Sequence, residues 1–246
     1  MRIGYLTDAG RVRPNNEDCL WADEGLLVLA DGMGGHRAGE VASRLAVESV
    51  VAHFRGKCSP AGGGRKASAV ERVRASIAGA NELVYRKGLE DPSLRGMGTT
   101  LTLALIEDGQ AVIGHVGDSR AYLVQADAIV QLTEDHSIVW ELVRSGGLSR
   151  READAHPYRH VLTRALGTSA VVDVDTVELS LGPGDGLLLC SDGLTGVLSD
   201  KEIHAVIAGS FGPQDAVDEL IRQANTRGAP DNVSAILALP EGRGRG

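Results

Sequence analysis

Residues 25–32 read GLLVLADG, and residues 186–193 repeat the pattern as GLLLCSDG. Each stretch is a continuous apolar run bounded by glycine, which is typical of a strand buried on both of its faces. Because each run ends in Asp-Gly, we expect the carboxylates of Asp31 and Asp192 at the points where buried strands leave the core. The repeated pattern therefore predicts a sheet-based core that carries acidic residues on a rigid scaffold.

Two further acids occupy similar places. Asp118 lies in the turn of AVIGHVGDSRAYLV (111–124), between two apolar runs, and Asp231 directly precedes NVSAILAL (232–239). Taken alone, Gly117-Asp118 is typical of an ordinary hairpin turn. Four carboxylates that meet at strand ends would repel one another unless a hard cation, which prefers oxygen ligands, lies between them. The four acids together therefore predict a carboxylate-built site for one or two divalent metal ions.

Composition narrows the class of protein. The chain has 246 residues, of which 43% are hydrophobic and 24% charged, and its net charge is −8. These values are ordinary for a globular protein, and the negative charge argues against a nucleic-acid partner. The chain lacks an apolar run of about 18 residues and an apolar signal-peptide core, so we expect no membrane partner and a cytoplasmic location. Cys19, Cys58 and Cys190 form no CxxC pair, which argues against a disulfide framework or a thiolate zinc site.

Helical and strand-like patterns occur in groups along the chain. Amphipathic periodicity or a capping box predicts helices over 39–54, 68–87, 136–145, a segment beginning at Ser199–Glu202, and 215–227. Apolar runs predict strands over 98–106, 111–124, 171–180, 186–191 and 232–239. Helix pairs between groups of strands favour an α+β fold of antiparallel sheets with segregated helices. Residues 147–169 have no clear period and are expected to form a mobile surface insertion.

Two polar segments could complete a site. The segment GRVRPNNEDCLWAD (10–23) groups Arg13, Glu17 and Asp18, a trio that taken alone would indicate only a solvated loop. Beside the strand-end acids a functional role is favoured, in which the planar guanidinium of Arg13 clamps a phosphate. In DGMGGHRAGE (31–40), the glycines allow backbone carbonyls to approach a metal, whereas a lone histidine is more often a surface residue.

These motifs are recognisable together. The chain resembles the metal-dependent protein phosphatases of the protein phosphatase 2C (PPM) family, in their compact bacterial form. The stretches that carry the resemblance follow the family's order from residue 4 to residue 239: RPNNED, ADGMGGHRAGE, GMGTTLTLALI, VGDSRAYLV, LTEDHS, LTRALG, LLLCSDGL and APDNVSAILAL. The resemblance implies an α+β fold, a four-layer α-β-β-α sandwich of two antiparallel sheets flanked by helix pairs. It also implies one domain over residues 1–240 with a flap at about 145–169, followed by a disordered tail at 241–246.

The resemblance further implies a phosphoserine/phosphothreonine protein phosphatase in which a metal-activated water attacks phosphorus directly. It implies two Mn²⁺ or Mg²⁺ ions per site and a third position, with the metal residues Asp31, Gly32 (through its carbonyl), Asp192, Asp231, Asp118 and Glu17. Asp18 would hold water beside the metals, and Arg13 would bind the substrate phosphate. Some members carry a histidine, proposed as general acid, at the position of Met33, so His36 becomes the candidate for that role here.

Partners follow from the same resemblance. We expect phosphorylated proteins as substrates, including Ser/Thr kinases and their targets, and a monomer. Arginines of the flap, at positions 150, 151, 159 and 164, are expected to help select phosphoproteins. Two alternatives remain: another metal-dependent phosphoesterase or nuclease, and a non-catalytic phosphatase-like binding module. The acidic net charge argues against a nuclease, and the complete set of acids argues against a degenerate module.

Overall fold

Two antiparallel sheets form the centre of the protein in a computed structural model, which describes residues 1–34, 38–56, 67–149, 152–153 and 156–241. The strands are β1 Arg2–Asp8, β2 Asp18–Ala22, β3 Leu26–Met33, β4 Gly98–Thr99, β5 Leu101–Glu107, β6 Gln110–Val116, β7 Arg120–Val124, β8 Ile129–Gln131, β9 Asp175–Ser180, β10 Gly186–Cys190 and β11 Val233–Leu239. The α-helices are α1 Ala38–Phe54, α2 Ala69–Glu90, α3 Ile138–Arg144, α4 Asp192–Thr195, α5 Asp200–Gly209 and α6 Pro213–Thr226. Ser68–Glu71 and Ser199–Glu202 form capping boxes that begin α2 and α5.

The strands form two separate sheets. One sheet has the order β1-β11-β10-β7-β8, and the other has the order β2-β3-β5-β6-β9, with β4 paired to β3. Every described strand pair is antiparallel. Strands β6 and β7 belong to different sheets, so the expected hairpin turn at Asp118 is wrong. The residue lies instead on a short connection that crosses from one sheet to the other.

The continuous apolar runs are explained by burial on both sides of each sheet. In β3, Leu27 and Leu29 pack between the sheets, whereas Val28 packs beneath α1 and α2. In β10, Leu187 packs between the sheets, whereas Leu188 packs beneath α5 and α6. Alternate side chains of one strand therefore enter different apolar layers. The resulting order of helices, sheet, sheet and helices confirms the predicted four-layer α+β fold.

Other elements differ from the expectations in detail. The segment 10–23 contains a strand, β2, and the strand expected over 171–180 begins only at Asp175. Cys19 and Cys190 are free thiols, whereas Cys58 lies outside the described residues. Residues 242–246 of the expected tail also lie outside them. Among the described helices, none is long and apolar enough to cross a membrane.

The second half of the flap is fastened to the body of the protein. Ser137 and Leu162 form a β-bridge, and Thr99 and Leu166 form another. Arg164 pairs with Asp175 of β9 at 2.8 Å, so this arginine anchors the flap to a sheet. The expectation of a wholly surface insertion is therefore wrong for its second half, where Leu166 is fully buried among core residues.

Candidate metal centre

One cavity of about 660 Å³ collects the acids that end the strands. Its walls include Asp31 and Asp118 from the six-stranded sheet and its crossing loop, and Asp192 and Asp231 from the five-stranded sheet. Glu17, Gly32 and Arg13 also line it. The two sheets pack face to face, so acids that are far apart in sequence meet at one edge of the sandwich. The structure thus brings together all four strand-end acids, as the sequence predicted.

The loop before β2 closes tightly over the start of α1. The Gly32 N–H donates to the Glu17 carbonyl oxygen at 3.1 Å. A side chain at Gly32 would collide with the backbone of Gly39 and of Glu17, so only glycine permits this approach. Burial raises the pKa of Glu17, and the nearby Arg13 guanidinium lowers it by a smaller amount. The close packing keeps Glu17 beside the strand end that carries Asp31.

Asp18 lies one layer below the cavity, opposite Asp31 in the β2–β3 register. Its Oδ2 accepts hydrogen bonds from the hydroxyls of Ser191 and Ser234. Its Oδ1 is buried and has no hydrogen-bond partner among the described residues. Burial raises the pKa of Asp18 to about 7. A buried carboxylate oxygen without a partner in the chain is the kind of group that ordered water completes, so Asp18 suits a position beside a hydrated cation.

The charged forms of Asp31 and Asp118 are also unfavourable in the protein without cations. Burial raises the pKa of Asp31 well above its ordinary value, and repulsion from Asp18 and Asp192 adds to the effect. Burial and the charge of Asp192 also raise the pKa of Asp118 well above its ordinary value. Bound divalent cations would reverse this repulsion, and the available donors are the hard oxygens that Mg²⁺ and Mn²⁺ prefer. The residues of the cavity therefore fit such ions.

The acids surround the cavity without forming a closed cluster. Within the described ranges, no three His, Cys, Asp or Glu side chains are arranged as a ready-made cage for an ion. Mg²⁺ is commonly bound in this open manner, because it keeps several waters and takes only one or two carboxylates directly.

Arg13 lies on the wall of the cavity beside Asp231. Its Nη2 donates to Asp231 Oδ2 at 2.7 Å, and 55% of the Arg13 side chain is exposed. The hydrogen bond and charge of Asp231 raise the pKa of Arg13, so the guanidinium remains a cation. An exposed cation on the wall of an acidic cavity can exchange its carboxylate partner for an incoming phosphate at little cost.

Asn232 is a positioning residue that the sequence interpretation missed. Its buried side-chain amide donates to the carbonyl oxygens of Ala9 and Asn15, and its Oδ1 accepts the Glu17 N–H at 2.8 Å. These three bonds fix the loop that carries Arg13. The only signal in the sequence is the Pro-Asp-Asn turn before β11, which is common in proteins of many functions.

A chain of hydroxyls joins the Asp31 strand to the Asp118 loop. Thr100 Oγ1 accepts the Asp31 N–H at 2.9 Å and lies 2.8 Å from Ser119 Oγ. Gly117 has φ of +115°, and a Cβ there would lie 2.6 Å from Cβ of Thr100. The loop can therefore turn against Thr100 only with glycine at this position. Sequence reasoning singled out none of these hydroxyls.

The flap contributes His160 to the site. His160 Nδ1 lies 3.2 Å from Asp192 Oδ2, and both His160 and Arg159 line the cavity. His160 was not among the predicted site residues, although its segment carried the expected arginines. His36, the expected general-acid candidate, lies outside the described residues, as do the flap arginines at 150 and 151.

The raised pKa of Asp18 predicts a pH dependence of the cation-free protein. Because the folded pKa of about 7 exceeds the ordinary 3.8, the folded state binds more protons between these values. The Asp18 contribution to the free energy of unfolding should therefore fall as pH rises from about 4 through about 7. His115, whose pKa burial lowers to about 3, acts in the opposite sense below pH 6.5. Glu17, Asp31 and Asp118, whose pKa values are also raised, act in the same sense as Asp18, so the measurement must isolate the contribution of Asp18.

The measurement compares thermal unfolding of the unmodified protein and Asp18→Asn in a chelator at several pH values. Asparagine keeps an acceptor for Ser191 and removes the charge, and His115 is common to both proteins. We expect the variant to gain stability relative to the unmodified protein as pH rises, and added Mn²⁺ to reduce that gain. A stability difference that does not change with pH would contradict a buried Asp18 of raised pKa.

Comparisons with known proteins agree with this geometry. A family model described as Protein phosphatase 2C matches residues 13–238. The serine/threonine phosphatase stp of Listeria innocua is 38% identical over 243 residues, which covers 96% of this chain and 95% of the relative. The serine/threonine phosphatase PstP/Ppp of Mycobacterium tuberculosis has a similar crystal structure, with a TM-score of 0.87, 37% identity and 98% of each chain covered. A catalytic domain of PstP in complex with two manganese ions has a TM-score of 0.86, 34% identity and 98% coverage of each chain.

Proposed function

Because this chain belongs to the protein phosphatase 2C family and is a serine/threonine protein phosphatase, we propose that its acidic cavity is the site of phosphoserine and phosphothreonine hydrolysis. The observation that carries the proposal is the meeting of four strand-end acids around one cavity that also holds Arg13. Acids that are buried against mutual repulsion need cations, and the family is metal-dependent. The same cavity therefore provides for the metals and for the phosphate.

Each residue is given a role by its position. Asp31, the carbonyl of Gly32, Asp192 and Asp231 would hold two Mn²⁺ or Mg²⁺ ions. Glu17 and Asp18 would orient water in the site, and Asp118 with Asp192 would provide a third cation position. When bound, such ions lower the pKa of water enough to make it a nucleophile near neutral pH, and they neutralise charge on the phosphoryl oxygens. The two manganese ions of the PstP domain support the choice of cation.

The chain's own residues bind and orient the substrate. Arg13 would leave Asp231 and donate its paired N–H groups to two phosphoryl oxygens, which fixes the phosphorus opposite the buried acids. Asn232 holds the loop that carries Arg13, so the backbone of this loop stays in place while the Arg13 side chain exchanges Asp231 for the phosphate. His36 remains the candidate for protonating the leaving serine or threonine oxygen.

The wider setting is also part of the proposal. The three layered apolar clusters support a single catalytic domain over residues 1–240 with a flap at about 145–169. Phosphoproteins are the substrates, and we propose that Ser/Thr kinases and their targets are among them. We further propose that the enzyme acts as a monomer in the cytoplasm. Co-purification with a kinase would support the proposed partners, and sedimentation of the pure protein would test whether it is a monomer.

The proposed function is tested by a panel of substrates in the presence of Mn²⁺. We expect phosphate release from phosphoserine and phosphothreonine peptides, and little cleavage of a nucleic-acid phosphodiester. A protein that binds phosphopeptide with no release of phosphate would support the non-catalytic module instead. Preferential cleavage of the phosphodiester would support a nuclease and contradict the proposal.

A further inference from the structure

The motif LTEDHS (132–137) places a buried histidine behind the loop that carries Asp118. His136 is 3% exposed and does not line the acidic cavity. Its backbone N–H donates to the Gly117 carbonyl oxygen at 2.7 Å, and its ring Nδ1 accepts the Gly117 N–H at 3.0 Å. One residue thus binds both backbone polar groups of the glycine that directly precedes Asp118.

The two ring nitrogens of His136 have different and fixed roles. A backbone N–H can only donate a hydrogen bond, so Nδ1 must present its lone pair to Gly117. The proton of the neutral ring therefore lies on Nε2, which is 3.1 Å from the accepting Oδ2 of Asp175. Asp175 is itself held by Arg164 at 2.8 Å. The carboxylate on one side of the ring therefore favours the tautomer that can accept from Gly117 on the other side.

The surroundings of His136 hold the ring in this position. The ring of His115 lies against it, with the two centroids 4.7 Å apart. His115 Nε2 lies 3.1 Å from the Glu134 carbonyl oxygen, and His115 Nδ1 lies 2.9 Å from Thr102 Oγ1. The Thr163 N–H donates to the His136 carbonyl oxygen at 2.8 Å. A side chain whose position is locked by packing and hydrogen bonds can orient a partner precisely.

Gly117 is the point at which this support reaches the cavity. Its φ of +115° and its contact with Thr100 fix the glycine on one side, and the His136 ring fixes it on the other. Asp118 follows directly and lines the acidic cavity. Because the peptide bond that joins the two residues is planar and rigid, a shift of Gly117 would also move the Asp118 carboxylate.

From these contacts we infer that His136 is a positioning residue for phosphate hydrolysis, whose Nδ1 lone pair holds the Gly117–Asp118 loop so that the Asp118 carboxylate faces the cavity. This role rests on the proposed function, because it takes Asp118 as a cation ligand. His136 acts through Asp118 and touches neither substrate nor cation. Loss of a group that orients a metal ligand typically costs about 10- to 100-fold in metal affinity or activity.

The variants His136→Asn and His136→Gln separate the two ring nitrogens. Asparagine has an oxygen near the position of Nδ1 and can accept the Gly117 N–H, whereas glutamine reaches the position of Nε2 and leaves that N–H without a partner. We expect His136→Gln to lower kcat for a phosphopeptide by about 10-fold or more at limiting Mn²⁺. Its KM should change little, since Arg13 is untouched, and His136→Asn should recover most of the lost kcat.

Two further measurements do not depend on turnover. Long-range ¹H–¹⁵N NMR spectra of the cation-free protein should show a neutral His136 with its proton on Nε2, and the Gly117 amide should exchange slowly except in His136→Gln. Calorimetric titration with Mn²⁺ should show that the weakest cation of His136→Gln binds about 10-fold more weakly or worse, with the tighter cations unchanged. If neither variant folds, Asp175→Ala, at the exposed end of the ring contacts, should give a smaller loss of the same kind in Mn²⁺ affinity.

His204→Ala is the matched control. His204 Nε2 lies 3.1 Å from the Gln125 carbonyl oxygen, so this variant also loses a contact between a histidine ring and the backbone. His204 does not line the acidic cavity, and we expect its loss to leave kcat and the Mn²⁺ response unchanged.

Three results would overturn the role of His136. A proton on Nδ1 would contradict the tautomer, and equal kcat and equal Mn²⁺ affinity in the asparagine and glutamine variants would contradict the role of the Gly117 bond. A loss of thermal stability with unchanged kcat and Mn²⁺ affinity would make His136 a structural residue only. Failure of the unmodified enzyme to hydrolyse the phosphopeptide with Mn²⁺ would instead refute the proposed function, which separates the two levels.

Discussion

Asp192→Asn should lower kcat/KM for a phosphopeptide by roughly 100- to 1000-fold and leave the protein folded. The proposed roles place Asp192 beside two cation positions, and loss of its charge removes several kcal/mol of charge stabilisation, at about 1.4 kcal/mol per tenfold change. Asparagine has nearly the same shape, and Asp192 lies at the start of α4 at the cavity wall. Removal of one of several repelling acids should also keep or raise the stability of the cation-free protein.

Asp200→Asn is the control for this substitution. Asp200 likewise begins a helix, α5, and its Oδ1 accepts from the Tyr122 hydroxyl, a bond that asparagine can retain. Asp200 does not line the acidic cavity, so the Asp200→Asn variant should be as active as the unmodified enzyme. Full activity of Asp192→Asn, or an equal loss in both variants, would contradict the role assigned to Asp192.

Arg13→Ala should raise KM for a phosphopeptide and lower kcat/KM by about 10- to 100-fold. A hydrogen bond to a charged group contributes about 1.5–3 kcal/mol, and the phosphate would lose at least one such bond. The melting temperature should change little, because Arg13 is 55% exposed and surface ion pairs contribute about 0–1 kcal/mol. Steady-state kinetics and thermal unfolding together decide between a phosphate-binding and a structural role.

The same loop offers a control for Arg13. Arg11 is exposed, and its backbone N–H bonds to Ala229, so Arg11→Ala removes a nearby cation and keeps that bond. We expect its KM to match that of the unmodified enzyme. Should Arg13→Ala instead lower the melting temperature strongly with a normal KM, Arg13 would be a structural partner of Asp231.

The fold was predictable wherever local pattern and burial coincide. The runs that contain Leu27 and Leu187 are apolar at successive positions. Each strand separates two apolar layers, and its side chains enter the two layers in turn. The crossing at Asp118 was not predictable from its own residues. A hairpin and a crossing both join two apolar runs through a short turn, and only the other partners of each strand decide between them: β5 and β9 pair with β6, whereas β8 and β10 pair with β7.

The acids that line the cavity were predictable from the sequence, whereas the residues that position them were not. An acid at the end of a buried strand is unusual in itself, because burial disfavours its charge. Asn232, Thr100 and Ser119 are ordinary turn or strand residues in sequence. Their function as hydrogen-bond partners exists only after the two sheets have packed, when each meets a backbone group or hydroxyl from a distant segment.

The most direct test of the central claim, that the acidic cavity is a metal centre for phosphate hydrolysis, is anomalous diffraction from crystals of this protein grown with Mn²⁺. We expect at least two anomalous peaks in the cavity, within coordination distance of Asp31, Asp192 and Asp231. The same preparation should lose phosphopeptide hydrolysis in chelator and regain it with added Mn²⁺. A cavity without anomalous peaks in crystals of active enzyme, or full activity after removal of all divalent metal, would contradict the claim.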